Sequence, residues 1–390
     1  MSTESRPIRS DSAPSPIDLI RLSVRWQFLA MAGLLIVIAA VFNFYSDGVF
    51  LAPRNLSLLL RQAAIIGIVA SGVTMLIIMS EIDLSIGSAV YLVGVIAATV
   101  ETRWGLNIWQ VLVVALASGL ALGTWQGFLV AKVGIPSFIV TLAGLLTFRG
   151  VGLYWTDART ISPLIEEHVA LAENFIPAGI SMVAGIAVAA LAVAFIARRG
   201  ASRRRRGDKK ALPSAVVQIV VTLAAIGAFL FAVGGYRGTP TAVLWTLAIG
   251  AGLWFLTSST VFGRNAYMIG ANRQAASLAG INVERNVFLG FVLMGALYGI
   301  AGILYTARLN ASTAGDATFM ELDAIAAAVI GGVALSGGKG RIPAVIGGAL
   351  LLTAIDNGMS VMGVSTFFQQ IVKGGILLAA VALDARSRRR

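Results

Sequence analysis

Stretches of roughly 20 mostly apolar residues recur along the whole of this chain, and no other feature constrains its fold as strongly. In hydrocarbon every backbone donor and acceptor has to be satisfied internally, and a helix needs about 20 residues to cross. About twelve stretches qualify: residues 27–46, 62–80, 84–99, 108–131, 136–155, 176–197, 214–235, 240–262, 287–307, 322–335, 342–359 and 367–383. The third and tenth are short and end in Gly- or Ser-rich turns, so either is a candidate half-helix and the count runs from ten to twelve. The expected fold is an all-α polytopic membrane protein with some short or broken helices. Composition agrees, since 57% of the 390 residues are apolar and 12% charged, against about 25% charged in soluble proteins.

The charges are not evenly placed. The chain carries 30 Lys and Arg against 18 Asp and Glu, a formal +12. In a soluble protein that surplus would point to nucleic acid; here it tests the topology. Arg6, Arg9, Arg21 and Arg25 precede the first span, and eight basic residues lie between Arg198 and Lys210. Arg264, Arg273 and Arg285 follow the eighth span, Lys339 and Arg341 separate the tenth and eleventh, and four arginines close the chain. With Lys132, a twelve-span count puts 22 of the 30 on one side. The positive-inside rule makes that side the cytoplasm and both termini cytoplasmic. The segment before the first span is polar and has no apolar start, so that span is expected to act as an anchor. Expected boundaries are a tail over 1–26, a transmembrane domain over 27–383 with a basic linker at 198–213, and a tail over 384–390.

Catalytic chemistry is poorly provided for. With no cysteine and one histidine, His168, the chain cannot build thiol chemistry or a multi-histidine metal site. The nearest approach to a phosphate-binding loop, Gly332 to Gly340, lacks the glycine five places before Lys339 and has Gly340 where a hydroxyl is needed. It reads instead as a tight turn. Neither a cofactor nor a metal is expected in the chain, and nucleic acid is not an expected partner. Ionisable groups within the spans are few, which favours a permease powered from outside over an ion-coupled one. Gly119, Gly123 and Gly127, with Gly295 and Gly299, carry the GxxxG spacing of close helix packing.

One polar segment, 263–286 (GRNAYMIGANRQAASLAGINVERN), is too polar to span and too patterned for a bare linker. Its small residues suit a short helix on the membrane face that inserts into a cleft of a partner. An amphipathic surface helix with no partner is the alternative.

This segment resembles the Gly-x-Asn, Ala-Ala, Ala-Gly-Ile loop in the permease subunits of bacterial ABC importers for monosaccharides, the ribose, arabinose, galactose and xylose group. The resemblance continues through Glu81-Ile82-Asp83-Leu84-Ser85-Ile86-Gly87-Ser88, Pro136 to Gly144, Phe148-Arg149-Gly150, and Glu321 to Ala327. Ile281-Asn282-Val283-Glu284-Arg285, Asp356-Asn357-Gly358-Met359-Ser360 and Ile371-Val372-Lys373-Gly374 are most similar to the D-xylose branch. The resemblance implies a ten-span permease used as a pair, a cytoplasmic ATPase that binds ATP and Mg, and a periplasmic sugar-binding protein. It places the chain in the bacterial inner membrane and assigns ATPase coupling to Gly270, Asn272, Ala275, Ala276, Ala279, Gly280 and Ile281. Two spans exceed that core, around 176–235, as in the similarly long xylose branch, and Ala271 stands where many relatives have Gly. Other readings are the same permease type for another sugar, an autoinducer or a branched-chain amino acid, and an ion-coupled sugar transporter.

Single residues carry two readings each. Glu81 and Asp83 either cap the third span or form an inner gate or ATPase contact, and Glu321 with Asp323 repeats their pattern. Arg149, about 20 Å into its span, either lines the pathway or pairs internally. Ser137 and Thr141 either share the pathway face or bond back to the backbone. Gln126, Asp356, Asn357, Gln369 and Gln370 are candidates to meet sugar hydroxyls, with interhelical bonding as the alternative. His168, in an acidic stretch, is expected to be solvated. The basic linker either fixes topology or also binds anionic membrane lipid.

Overall fold

The computed structural model describes residues 16–205 and 211–388, with side chains over 30–205 and 211–382. The remaining parts of both expected tails and of the linker, including Arg6, Arg9, Arg206, Lys209, Lys210, Arg389 and Arg390, lie outside the described residues. The helices in chain order are α1 (Pro16–Tyr45), α2 (Pro53–Ile78), α3 (Ile86–Trp104), α4 (Ile108–Phe128, continuing as a π turn over Leu129–Val133), α5 (Ser137–Thr156), α6 (Glu166–Glu173), α7 (Ala178–Arg205) and α8 (Ala211–Gly234). They continue as α9 (Thr241–Ser259), α10 (Val261–Ala271), α11 (Arg273–Leu278), α12 (Val283–Leu309), α13 (Met320–Ile330), α14 (Ile342–Val361) and α15 (Thr366–Arg388). Two short strands, β1 (Phe175–Ile176) and β2 (Thr239–Pro240), pair antiparallel beside α6.

Each of the twelve apolar stretches falls on a helix. Among the described residues nine helices are long and apolar enough to cross a membrane: α2, α3, α4, α5, α7, α8, α9, α12 and α14. Of the two candidate half-helices only α13 is short, at 11 residues. The third stretch is a full 19-residue helix, because α3 runs on through Glu101 to a left-handed cap at Gly105 (φ 67°). Glu101 is buried rather than marking an end. Likewise α2 starts at Pro53, a residue suited to the first helical turn, and carries Arg54 and Arg61 within it.

Local signals set the boundaries. Asn107 and Gln110 form a reciprocal capping box at the start of α4, both bonds at 3.1 Å. Thr260, Asn272 and Asn282 cap α10, α11 and α12 in turn, accepting from Gly263, Ala275 and Arg285. This succession of caps breaks the polar 263–286 segment into a stepped pair of short helices instead of the single one the sequence suggests.

The most enclosed helix is α3, 83% of whose apolar window is buried. It packs against α4, α5 and α12 and touches α13. By contrast α7 and α8 pack on each other as a peripheral hairpin, with 6% and 11% buried. That is the place expected of two helices added to a smaller core. The tightest approach joins α4 to α12. A Cβ on Gly119 would meet the Gly295 carbonyl and, at 2.6 Å, the Gly299 amide, and one on Gly123 would meet the Phe291 carbonyl and Gly295. The two GxxxG patterns are thus one interface, in which backbones approach because side chains are missing. Gly123→Leu forces these helices apart and lowers the unfolding free energy by about 1–3 kcal/mol, read as a lower melting temperature of the detergent-purified chain. An unchanged melting temperature would refute the packing.

Candidate functional site

Four segments meet at the end of the bundle that carries most of the basic residues. The α10–α11 step lies against the α2–α3 connection: Arg273 pairs with Glu81 at 2.6 Å. It also lies against the Gly-rich turn after α13, where Gly338 donates its N–H to the Ile78 carbonyl at 2.9 Å and Tyr267 donates to the Gly340 carbonyl at 2.8 Å. Gly270 sits where any Cβ would strike the Ile78 carbonyl, and Gly337 and Gly338 adopt φ of 87° and 72°. Only glycine allows these approaches and dihedrals together. Lys132, from the turn after α4, reaches Glu284 at 3.1 Å. Of the coupling residues suggested by sequence, Asn272, Ala275, Ala279 and Gly280 are exposed, Gly270 and Ile281 are partly covered, and Ala276 is buried against the bundle. Leu278, not singled out from sequence, is 91% exposed at the tip.

Deeper in the bundle, two non-helical stretches are tied down by side chains. Asp83 accepts from the backbone and hydroxyl of Ser85 at 2.9 and 2.7 Å and from the Tyr298 hydroxyl. Gln126 donates to Ser85 at 2.7 Å and accepts from Tyr298 at 3.2 Å. Ser137 and Thr141 hold the two backbone groups of Ile82, both at 3.2 Å. The second stretch, 310–319, is held by Arg149, which donates to the Asp316 carbonyl at 2.8 Å and covers the Tyr91 ring at 4.6 Å. Gly87, in the first turn of α3, lies against the Ala317 carbonyl and the Glu321 carboxylate. The two acidic tripeptides therefore precede helices that start beside each other. Ser137, Thr141 and Arg149 make internal bonds that hold backbone in place, and Gln126 bonds the hydroxyls of Ser85 and Tyr298.

Towards the opposite end lie two cavities. One, of about 440 Å³, is bounded by α2, α12, α13 and α14 and takes in Asn55, Tyr305, Arg308, Asp323, Thr353, Asp356 and Asn357. The other, of about 400 Å³, lies between α13 and α15 and takes in Gln369, Gln370 and Lys373. Between them Lys373 bridges two carboxylates, Asp323 at 3.1 Å and Asp356 at 2.7 Å. Asn357 and Asn55 bond each other at 2.7 and 3.0 Å. Asp323, far in the sequence from the adjacent Asp356 and Asn357, comes together with them here, whereas Gln126, Ser137 and Thr141 belong to the network near Ser85.

Sequence reasoning misplaced His168. It is fully buried rather than solvated, paired with Glu101 and 3.1 Å from the Thr306 hydroxyl. The physical reason is that α6 folds back onto α12, which the acidic look of the stretch concealed. A buried glutamate within a span needs a partner, and Glu101 was the signal that could have located one. Arg308, Thr353 and Asn55 were also missed, since none of them lies in a motif that the sequence singles out.

A profile for the family described as branched-chain amino acid transport system / permease component matches residues 55–381. The chain is 41% identical over 371 residues to the xylose transport system permease protein of Escherichia coli (strain K12), covering 94% of each chain. It is 39% identical to the xylose transport system permease protein of Haemophilus influenzae, over 94% of this chain and 98% of the relative. Against the ribose import permease protein of Escherichia coli (strain K12) it is 32% identical, over 92% and 94%. No solved structure matches the chain.

The Lys373 bridge yields a test of its own. Removing one partner from a largely desolvated ion cluster costs more than removing all of it, because the remaining charges lose their compensation. Lys373→Met is expected to destabilise the chain by about 3 kcal/mol. The triple variant K373M/D323N/D356N is expected to recover most of that loss. Equal thermal unfolding of wild type and K373M would show that the bridge holds nothing together.

Proposed function

The chain belongs to the family of permease components of branched-chain amino acid transport systems, and from that premise we propose that it imports a pentose, D-xylose first. It is a multi-pass membrane protein and the permease subunit of an ATP-binding-cassette sugar importer, a transport subunit rather than an enzyme. An ATPase and a substrate-binding protein are its expected partners. The observation that carries the pentose reading is the 41% identity to a xylose permease across 94% of both chains. The ribose permease, at 32%, keeps a second pentose in view.

In this reading the basic end faces the cytoplasm of a bacterium, both termini lie there, and two copies stand side by side in the inner membrane across twelve spans each. The linker arginines meet anionic headgroups. The ATPase binds ATP and Mg and docks on the α10–α11 step through Asn272, Ala275, Leu278, Ala279 and Gly280. Gly270, Ala276 and Ile281 hold that step against the bundle. A displacement of α11 pulls on Glu81 through Arg273, and on the Gly-rich turn through Gly270 and Gly338. Glu321 and Asp323 sit on the helix that this turn follows, so the pull arrives where they stand. The sugar travels past Asp356, Asn357, Gln369 and Gln370, while Gln126, Ser137, Thr141 and Arg149 hold the broken segments that shape the route. No covalent chemistry is required of the chain.

Reconstitution with the ATPase and binding protein tests this directly. Ala275→Glu and Leu278→Glu place a charge in the docking contact while leaving the buried Ala276 alone. A hot-spot loss of about 2 kcal/mol is roughly a 30-fold loss of affinity, and uptake and binding-protein-stimulated ATP hydrolysis are expected to fall together. Persistence of both activities in both variants would remove α11 from the coupling contact. Failure of the wild-type system to accumulate labelled D-xylose or D-ribose would remove the pentose.

A further inference from the structure

The 440 Å³ cavity between α2, α12, α13 and α14 has the chemistry of a binding site on the route just described. On α14, Thr353, Asp356 and Asn357 share one face at the three- and four-residue spacing of a helix. Ser57 on α2 has no partner, but other buried hydroxyls in the helices bond back to the carbonyl four residues earlier, as Ser71 to Gly67, Thr74 to Ala70 and Thr99 to Val95, each at 2.7 Å. Thr353 does not. It is 1% exposed and its hydroxyl has no partner. The Asp356 oxygen not engaged by Lys373 is unpartnered too, as is the Nε of Arg308 on the facing helix. Leaving such groups unsatisfied is unfavourable, so three of them around one cavity mark places for a ligand's polar atoms.

The character of that ligand follows from the wall. Arg308 and Lys373 balance Asp323 and Asp356, so the charges around the cavity cancel and the ligand is neutral. It must donate to Asp356, exchange a hydrogen bond with Thr353 and accept from Arg308, all within one small volume. Tyr305, covered by Arg308 at 5.2 Å, adds a flat apolar face. The volume lies within the about 300–1,000 Å³ of small-molecule sites. A ring that carries hydroxyls on its edge and C–H groups on its faces meets every one of these requirements.

We propose that this cavity is a monosaccharide-binding site within the permease itself, in which Thr353, Asp356 and Arg308 contact the sugar hydroxyls and Lys373 holds Asp356 in position. The site rests on the sugar-import reading and adds a stopping point to it. The sugar is bound by the permease after it leaves its carrier, with Lys373 closing the cavity towards α15.

The absence of cysteine from the sequence makes the site accessible to a clean experiment. Ser360→Cys puts a single thiol in the lining of this cavity, and Thr366→Cys puts one in the lining of the second cavity. In proteoliposomes of the full chain, the rate of alkylation by a small neutral maleimide is measured with and without D-xylose. Occupancy leaves a free fraction of 1/(1 + [L]/Kd), so sugar at ten times its Kd slows labelling of S360C by about tenfold. T366C is not slowed. Adding Asp356→Asn to S360C abolishes the protection but keeps the labelling rate measured without sugar, which shows an intact fold. If D-xylose, D-ribose and D-glucose all leave S360C labelling unchanged, the cavity is a water-filled vestibule and the proposal falls. Uptake by the complete wild-type transporter separates the two claims, since its persistence in that case leaves the import reading standing without the site.

Discussion

Backbone that is not helical has to find its hydrogen-bond partners inside the protein when it lies within a membrane. Two non-helical stretches of this chain, 80–85 and 310–319, lie among the helices and find their partners there, and much of the remaining architecture supplies them. Ile82 is held by Ser137 and Thr141, Ser85 by Asp83 and Gln126, and the Asp316 carbonyl by Arg149. Apart from Asp83, these side chains come from α4 and α5, which with α12 also pack directly on α3, the most enclosed of the candidate spans. The glycine contact between α4 and α12 brings Gln126 within reach of Tyr298, so the packing interface and the polar network depend on one another.

Holding broken segments this way makes two short distances possible. The first turn of α3 meets the start of α13 at Gly87, and the Gly-rich turn after α13 meets the end of α2 at Ile78. Both ends of α13 are therefore fixed to the α2–α3 region, and α13 is the 11-residue helix that carries Asp323 to the Lys373 bridge. This short helix thus links the basic end to the wall of the cavity through direct contacts.

The sequence was most informative where a pattern is local. The twelve apolar stretches, the GxxxG pairs and the tight turn at 332–340 each follow from spacing or from glycine's freedom, and each has its counterpart in the structure. Caps were legible in principle, since Thr260, Asn272 and Asn282 all stand three residues before the amides they satisfy. Three-dimensional pairing was not. Glu101 reads as the end of a helix until His168 is seen beside it, and Arg308 reads as flanking charge until α14 is placed opposite. Asp323, Asp356 and Lys373 are far apart in the chain, and only the helix arrangement shows that one ammonium serves both carboxylates.

The same distinction separates the two kinds of polar residue in the bundle. A hydroxyl or amide that spends its hydrogen bonds on backbone, as Thr141 and Ser137 do, or on neighbouring hydroxyls, as Gln126 does, stabilises a conformation and has little left to offer a passing sugar. Thr353 and the free oxygen of Asp356 have made no such commitment. An ion pair with one engaged and one open carboxylate oxygen orients Asp356 while leaving it able to accept from a hydroxyl. In the proposed site Lys373 contributes to recognition without touching the sugar, which offsets the cost of burying three charges.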